Sequence, residues 1–246
     1  MAVIPARYGS TRLPAKALAD IGGVPMVARV LARASLASKV QRVVVATDDR
    51  RIYDAVSSLG EAVMTDPAHA SGSDRVAEVA AGSDYDIVVN VQGDLPLLDP
   101  SWIDLLVARM SADREIDIAT LAVPVRSREE MLDPAAVKVV TDATGRALYF
   151  SRAPIPHHRD REDDFSGALH HVGIYAYRRE ALMRFSQLKP TRLEQSEKLE
   201  QLRALENGIG IGVVVVDDRP PLEVDTFADL ERAREAVRAE SSAGRK

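Results

Sequence analysis

Two short runs rich in β-branched residues, Val-Val-Val-Ala at 43–46 and Ile-Val-Val-Asn-Val at 87–91, set the tightest limit on what this chain can fold into. Each is too short for a helix and each runs into polar or glycine-containing sequence, the pattern of a buried strand. Segments with helical spacing lie around them: 26–37, with Met26, Val27, Val30, Leu31 and Ala34 apolar, and 49–59, where Ile52, Ala55 and Val56 share a face. Strand and helix alternate to about residue 110. That alternation predicts a largely parallel α/β sheet, in which ligands bind beyond the carboxyl ends of the strands, and makes the first half a nucleotide-binding candidate.

The pattern then changes. Residues 118–125, 137–141, 147–150 and 173–177 supply further strands with fewer helices between them, which predicts an α+β extension. Residues 154–167 are rich in Pro, His and charge without an apolar period, the pattern expected of a mobile loop or an edge that a partner subunit covers. A helix is expected over 194–207, on Leu199, Leu202 and Leu205 with Gly208 as its stop, and its Glu194, Glu197, Lys198 and Arg203 as a solvated charged face. A strand at 211–216 and a helix at 227–239 finish the expected fold, with 241–246 frayed, and Trp102 is expected to pack a helix against the sheet.

Composition narrows the chemistry. There is no cysteine, which excludes disulfides, thiolate zinc and a cysteine nucleophile, so any metal should be a hard cation held by oxygen or imidazole. No apolar segment is long enough to cross a bilayer, and the N-terminus has no signal-peptide pattern, so the expectation is a cytoplasmic protein without membrane contact. A net charge of −5 argues against general nucleic-acid binding while leaving room for a local cationic cluster.

Such a cluster opens the chain. A short apolar strand runs into Pro5-Ala6-Arg7-Tyr8-Gly9-Ser10-Thr11-Arg12-Leu13-Pro14-Ala15-Lys16. Gly9 and Ser10 let backbone N–H groups approach phosphate oxygens, and Arg7, Arg12 and Lys16 supply charge-assisted donors for a triphosphate. The Walker A spacing is absent. On the residues alone, a phosphate grip and a solvated basic turn both fit. The strand at 87–91 leads into Gln92-Gly93-Asp94, and Asp225 follows Glu223 and Val224; two carboxylates plus phosphate oxygens suit Mg²⁺, although turn and cap roles are common for such residues.

The segments PARYGSTRLPAK, VVVATDD, MTDPAHASGSDR, VVNVQGD, ALYFSRAPIP, HHVGIYAYR, EKLEQLRALENG and EVDT occur in one order over residues 2–236. In them the chain resembles the 3-deoxy-D-manno-octulosonate (Kdo) cytidylyltransferases. The resemblance implies a single domain, 1–246, with a three-layer α/β/α nucleotidyltransferase fold and a mixed, mostly parallel central sheet. Within it, 1–115 would mainly bind CTP, 116–210 would carry sugar-acid binding and dimerisation, and 211–240 would close the fold. It implies a homodimer that uses CTP, Kdo and Mg²⁺ to make CMP-Kdo and pyrophosphate for lipopolysaccharide. Carried over, Arg7, Lys16, Asp94 and Asp225 would be catalytic, with Asp94 and Asp225 the metal ligands. The nucleotide would meet Arg7, Arg12, Lys16, Ala46, Thr47, Asp48, Ser71, Gly72 and Arg75. The sugar acid would meet Gln92, Arg152, His171, Tyr175, Glu200 and Gln201.

The chain departs from the family pattern at Ala15 and Ala17, where Gly and Pro are usual, at Leu95, where Glu commonly follows the metal Asp, and at Ser73-Asp74, which stand for Thr-Glu. Leu95 keeps 8-amino-Kdo or another sugar acid open as the substrate. A catalytically silent nucleotide-sugar sensor and a glycosyltransferase are the rivals from other classes. His157, His158 and His170 lack metal-ligand spacing and read as surface or interface residues.

Overall fold

The computed structural model describes residues 1–9, 12–160 and 165–243. Ser10 and Thr11 of the opening loop, 161–164 of the 154–167 segment and 244–246 of the tail lie outside the described residues. The chain divides into two compact units, one formed by residues 1–104 with the segment from 221 onward, the other by residues 105–220.

The first unit carries the alternation read from the sequence. β1 (Ala2–Ala6) leads through the opening loop to a 3-10 turn (Lys16–Leu18) and a small hairpin, β2 (Asp20–Ile21) with β3 (Val24–Pro25). There follow α1 (Met26–Ala34), β4 (Val43–Thr47), α2 (Arg50–Ser57), β5 (Glu61–Met64), α3 (Gly72–Ala81), β6 (Ile87–Asn90) and the start of α4 (Pro100–Ala112). The strands run parallel in the order β6-β1-β4-β5, with Ala2 opposite Val89 and Ile4 opposite Val45. The expected strands at 43–46 and 87–91 are β4 and β6. Ile4, Val44, Val45, Val88 and Val89 are fully buried, as strands covered on both faces require. β5 was not expected: Glu-Ala-Val-Met is a half-exposed edge with no run of β-branched residues. Trp102 is buried on α4. The C-terminal helix, Phe227–Ala243, runs four residues past its expected end, into the stretch expected to fray. Its Leu230, Ala233 and Val237 share one apolar cluster with Leu13, Ile21, Met26 and Val224, which ties the end of the chain to the opening segment.

The second unit has mixed pairing. It holds β7 (Ile118–Pro124), α5 (Arg128–Leu132), β8 (Lys138–Thr141), β9 (Ala147–Ser151), β10 (Leu169–Arg178), α6 (Arg179–Ser186), α7 (Arg192–Glu197), α8 (Gln201–Glu206) and β11 (Ile211–Val215). β11 runs parallel to β7, and β7-β10, β10-β8 and β8-β9 are antiparallel. β10 starts four residues before the expected strand.

Two expectations fail here. The helix expected over 194–207 is two short helices, because Lys198 turns left-handed at φ 55° and both its N–H and that of Leu199 close on Glu194 O. Of the charged face only Lys198 is exposed: Arg203 is 8% exposed, donates to both Glu194 carboxylate oxygens and lies over the Phe185 ring, while Glu197 accepts from Ser151 Oγ at 2.6 Å. Spacing alone cannot tell a surface ion pair from a buried one.

His171 on β10 is 7% exposed, edge-on to Phe150, with Nε2 2.9 Å from Thr120 Oγ1. The Thr120 hydroxyl donates its single proton to main-chain carbonyls of β10, Ile174 O at 2.8 Å being the nearer, so it accepts from a protonated Nε2. Burial, and then the neighbouring His170, push the His171 pKa down to about 3 from 6.5.

Two outcomes follow from this architecture. Ala15 sits in the left-handed region at φ 52°, ψ 32°, where a Cβ is strained. Ala15→Gly should raise stability by roughly 0.5–1 kcal/mol, the relieved strain exceeding the entropy glycine adds to the unfolded chain; an unchanged or lower urea midpoint counts against that conformation. For His171, the folded state binds fewer protons than the unfolded state between about pH 3 and 6.5, so its contribution is complete above about pH 6.5. It is lost as pH falls, at about 1.4 kcal/mol per unit. Urea titrations at pH 7.5 and 5.5 should show a smaller drop for His171→Gln than for the unaltered chain; equal drops would remove His171 as the cause.

Candidate active site

The C-terminal end of β1 opens on a cleft of about 380 Å³ within the first unit, a size that holds a small organic ligand. Arg7, Gly9, Arg12 and Lys16 from the opening segment form one wall. Ser71, Gly72 and Arg75 at the start of α3 form another, and Gln92, Gly93, Asp94 and Asp225 complete the lining.

Lys16 organises this cleft. Its Nζ lies 2.7 Å from Asp94 Oδ2 and 2.7 Å from Asp225 Oδ1, and Arg12 adds a guanidinium 3.0 Å from Asp225 Oδ2. Burial works to lower the Lys16 pKa, but the two carboxylates outweigh it and the pKa is raised, so the ammonium stays charged. Although Glu223 remains open to solvent, desolvation by the surrounding protein, followed by the Asp94 and Asp225 carboxylates, pushes its carboxyl up to about 7. Around Asp94 and Asp225 the field therefore favours positive charge.

The two aspartates are placed by main-chain geometry. Gly93 brings the end of β6 against the end of β1: a Cβ there would lie 3.1 Å from Pro5 O. Val224 N–H then donates to Asp94 O at 3.0 Å, joining the two carboxylate-bearing segments directly. Asp225 stands immediately before the Thr226 cap of the C-terminal helix. Asp229 Oδ2 accepts from the N–H groups of both Asp225 and Thr226. Thr226 Oγ1 in turn accepts from Asp229 N, so this reciprocal cap holds the Asp225 main chain.

On the opposite wall, Ser71 caps α3 in a capping box with Asp74, which fills the role of the family's Glu. Arg75 is 4% exposed and donates to Asp48 Oδ2 at 2.9 Å and to Thr65 Oγ1. The opening loop is braced by Arg51, whose guanidinium lies 3.3 Å from the centre of the Tyr8 ring and is gripped at both ends by Asp49.

The structure thus gathers Arg7, Arg12, Lys16, Ser71, Gly72, Arg75, Gln92, Asp94 and Asp225 at one cleft. Ala46 and Thr47 are instead fully buried at the end of β4, and Asp48 meets Arg75; none of the three lines it. His69 does, with Nε2 2.5 Å from Glu78 Oε2. Sequence reading passed over it, although it lies two residues before the Ser71 cap inside a quoted motif. Leu95 is 1% exposed and absent from the lining, so the residue beside Asp94 enters the core rather than the cleft. His157 is exposed and His170 pairs with Glu130 Oε1 at 2.7 Å.

Arg152, His171, Tyr175, Glu200 and Gln201 belong to the second unit. Arg152 Nε donates to Glu197 O and Nη1 to Pro134 O, each at 2.8 Å. The His171 and Tyr175 rings lie 5.4 Å apart, and Gln201 is buried at the start of α8, next to Glu200.

Known proteins share the sequence and the fold of this chain. A cytidylyltransferase family profile matches residues 1–211. The 3-deoxy-manno-octulosonate cytidylyltransferase of Syntrophotalea carbinolica is 51% identical over 96% of this chain and 98% of its own length. That of Halorhodospira halophila is 50% identical over 93% of each chain. A solved CMP:2-keto-3-deoxy-manno-octonic acid synthetase in complex with CTP superposes with a TM-score of 0.92 at 45% identity, covering 97% of this chain and 98% of the other. The 4-diphosphocytidyl-2C-methyl-D-erythritol synthase of Anaerococcus prevotii, at 13% identity and a TM-score of 0.63, shares the fold alone. The fold class is therefore the expected α/β nucleotidyltransferase type, with a mixed, mostly parallel sheet flanked by helices. With about half of its residues identical to these relatives along nearly its whole length, the chain belongs to the cytidylyltransferase family, among the 3-deoxy-manno-octulosonate cytidylyltransferases.

Proposed function

We propose that this enzyme transfers the cytidylyl group of CTP to the anomeric hydroxyl of Kdo, giving CMP-Kdo and pyrophosphate for lipopolysaccharide assembly. The observation that carries the reading is the cationic opening segment set against Asp94 and Asp225 in one cleft, with Lys16 shared between the two carboxylates. Arg7, Arg12 and Lys16 hold the triphosphate and take up charge as pyrophosphate leaves. The sugar oxygen forms its bond to the α-phosphorus in line with the breaking bond to pyrophosphate, and the hydroxyl proton passes to solvent. No covalent enzyme intermediate is needed and no side chain is assigned as general base.

Asp94 and Asp225 fit a divalent cation: they are hard oxygen donors, and they already attract the Lys16 ammonium to the place between them. Bound there, Mg²⁺ supplies Lewis acidity toward phosphoryl oxygen and lowers the pKa of a coordinated hydroxyl. Among the described residues no three carboxylates or imidazoles gather as a metal cage, in keeping with a cation that shares its coordination with substrate phosphates. Lys16 would then exchange its carboxylate partners for phosphate oxygens, keeping its charge. Ser71, Gly72 and Arg75 border the nucleotide, and Gln92, Arg152, His171, Tyr175, Glu200 and Gln201 receive the sugar acid. The protein works as a cytoplasmic homodimer.

The test is pyrophosphate release with Mg²⁺ and CTP, comparing Kdo, 8-amino-Kdo and N-acetylneuraminic acid, with ATP, GTP and UTP as nucleotide controls. Release is expected with CTP and Kdo. Release with a different acid alone would move the substrate and keep the chemistry, and none with any pair would restore the silent-sensor reading. Asp94→Ala and Asp225→Ala should each lower kcat by at least about a hundredfold while circular dichroism still reports a folded chain; near-normal turnover in either would dismiss that carboxylate as a cation ligand.

A further inference from the structure

Lys138 opens β8 and is among the largest side chains of the described residues with no solvent exposure. Burying an ammonium costs free energy that a methionine of similar volume would not incur, so the site must use what only the ammonium offers. Three N–H donors are what it uses. Nζ donates to Asp133 O at 2.8 Å, to Ala136 O, and to Arg152 O at 3.1 Å. A neutral amine has only two N–H groups, so the three carbonyls select the protonated form against the burial that pushes the Lys138 pKa down.

Two of these carbonyls belong to the 133–136 turn and the third to Arg152, and both lead to the same guanidinium. The turn also carries Pro134 O, the acceptor of Arg152 Nη1. On the other side Arg152 Nε is held by Glu197 O, and Arg152 N–H, with Ser151 Oγ, by the Glu197 carboxylate. The Arg152 guanidinium is thus oriented by main-chain carbonyls, which fix its direction without cancelling its charge. The residue before Lys138 serves a second site position, because Val137 O accepts from His171 N–H at 2.8 Å.

We propose that Lys138 is a positioning residue of the sugar-acid subsite, fixing the Arg152 main chain and the turn that aims its guanidinium at the substrate carboxylate. This rests on the reading of Arg152 as an acid-binding residue. Steady-state kinetics of pyrophosphate release, with CTP and Kdo varied separately, tests both in the full-length enzyme and its variants. Lys138→Met should raise the KM for Kdo about tenfold, as small misplacements of a binding group do, with the KM for CTP within about twofold. Arg152→Ala should raise the Kdo KM further, and the double variant should show no additional rise, since the lysine acts only through the arginine.

A lowered Tm for Lys138→Met with an unchanged Kdo KM overturns the proposal in favour of a purely structural lysine. So does a fully additive double variant, or an equal rise in both KM values. If Lys138→Met does not fold, Lys138→Gln, which keeps two donors, is held to the same criteria. An Arg152→Ala enzyme with unaltered Kdo KM refutes the role of Arg152 itself. A Kdo-specific defect in Lys138→Met beside that result shows that the lysine acts by another route.

Discussion

Two carboxylates from distant parts of the chain converge on one ammonium, and the first unit is built to allow it. Asp94 is 78 positions from Lys16 and Asp225 is 209 positions away, so neither contact can form until β1 and β6 pair and the end of the chain returns to the opening segment. Each requirement is met by ordinary forces. The parallel pairing places the ends of β1 and β6 side by side, Gly93 removes the Cβ that would crowd Pro5 O, and the cluster of Leu13, Met26, Val224 and Leu230 draws the C-terminal helix in. Burial of that apolar cluster supplies the driving force, and the carboxylates are carried along. Without a cation between them, the same convergence would crowd like charges; the Asp94 and Asp225 carboxylates already add to the desolvation that raises the Glu223 carboxyl.

The cleft was legible in the sequence where local chemistry announces it. A strand followed by Arg7, Arg12 and Lys16, and a second strand ending in Gly93-Asp94, are signals that survive without tertiary information. Asp225 was legible as a second carboxylate but not as distinct from a cap, since a carboxylate before a helix is usually one; here the capping falls to Thr226 and Asp229. What sequence could not show was which polar groups are buried. Glu194 and Arg203 have the spacing of a solvated face and form an internal ion pair; Ala46, Thr47 and Asp48 sit at the end of a strand, yet the first two are core and the third holds Arg75. The break at Lys198 has no local signal either, since glycine is the usual residue in that conformation.

The two units use charge differently. In the cleft, Arg75 is buried on Asp48, but the ionised groups around Lys16 remain partly solvated and exchangeable: Arg12 is two-thirds exposed, and the partners of Lys16 are carboxylates that a bound polyanion and its counter-cation can replace. In the second unit, charge is sunk into fixed frames. Lys138 is enclosed by carbonyls, Glu197 by a hydroxyl and an amide N–H, and Arg203 by Glu194 and an aromatic face. Exchangeable pairs suit a site that must accept and release a triphosphate on every turnover. Fixed frames suit recognition of one polyhydroxylated acid among several, where a donor displaced by a fraction of an ångström stops discriminating.

The departures from the family pattern bear on the same distinction. Asp74 in place of Glu still completes the capping box of α3, so the wall holding Ser71 and Gly72 keeps its anchor. Leu95 in place of Glu adds an apolar side chain to the core and leaves Asp94 with its main-chain tie to Val224. Ala15 in place of Gly holds the left-handed conformation for which glycine is the natural residue, and Lys16 still reaches both carboxylates. Beside these three positions Ser71, Asp94 and Lys16 all line the cleft. The strain at Ala15 does not reach the cleft: Lys16, the next residue, keeps both Asp94 and Asp225 at 2.7 Å, so it is that shared ammonium, and not the positions that have changed, that speaks for an enzyme.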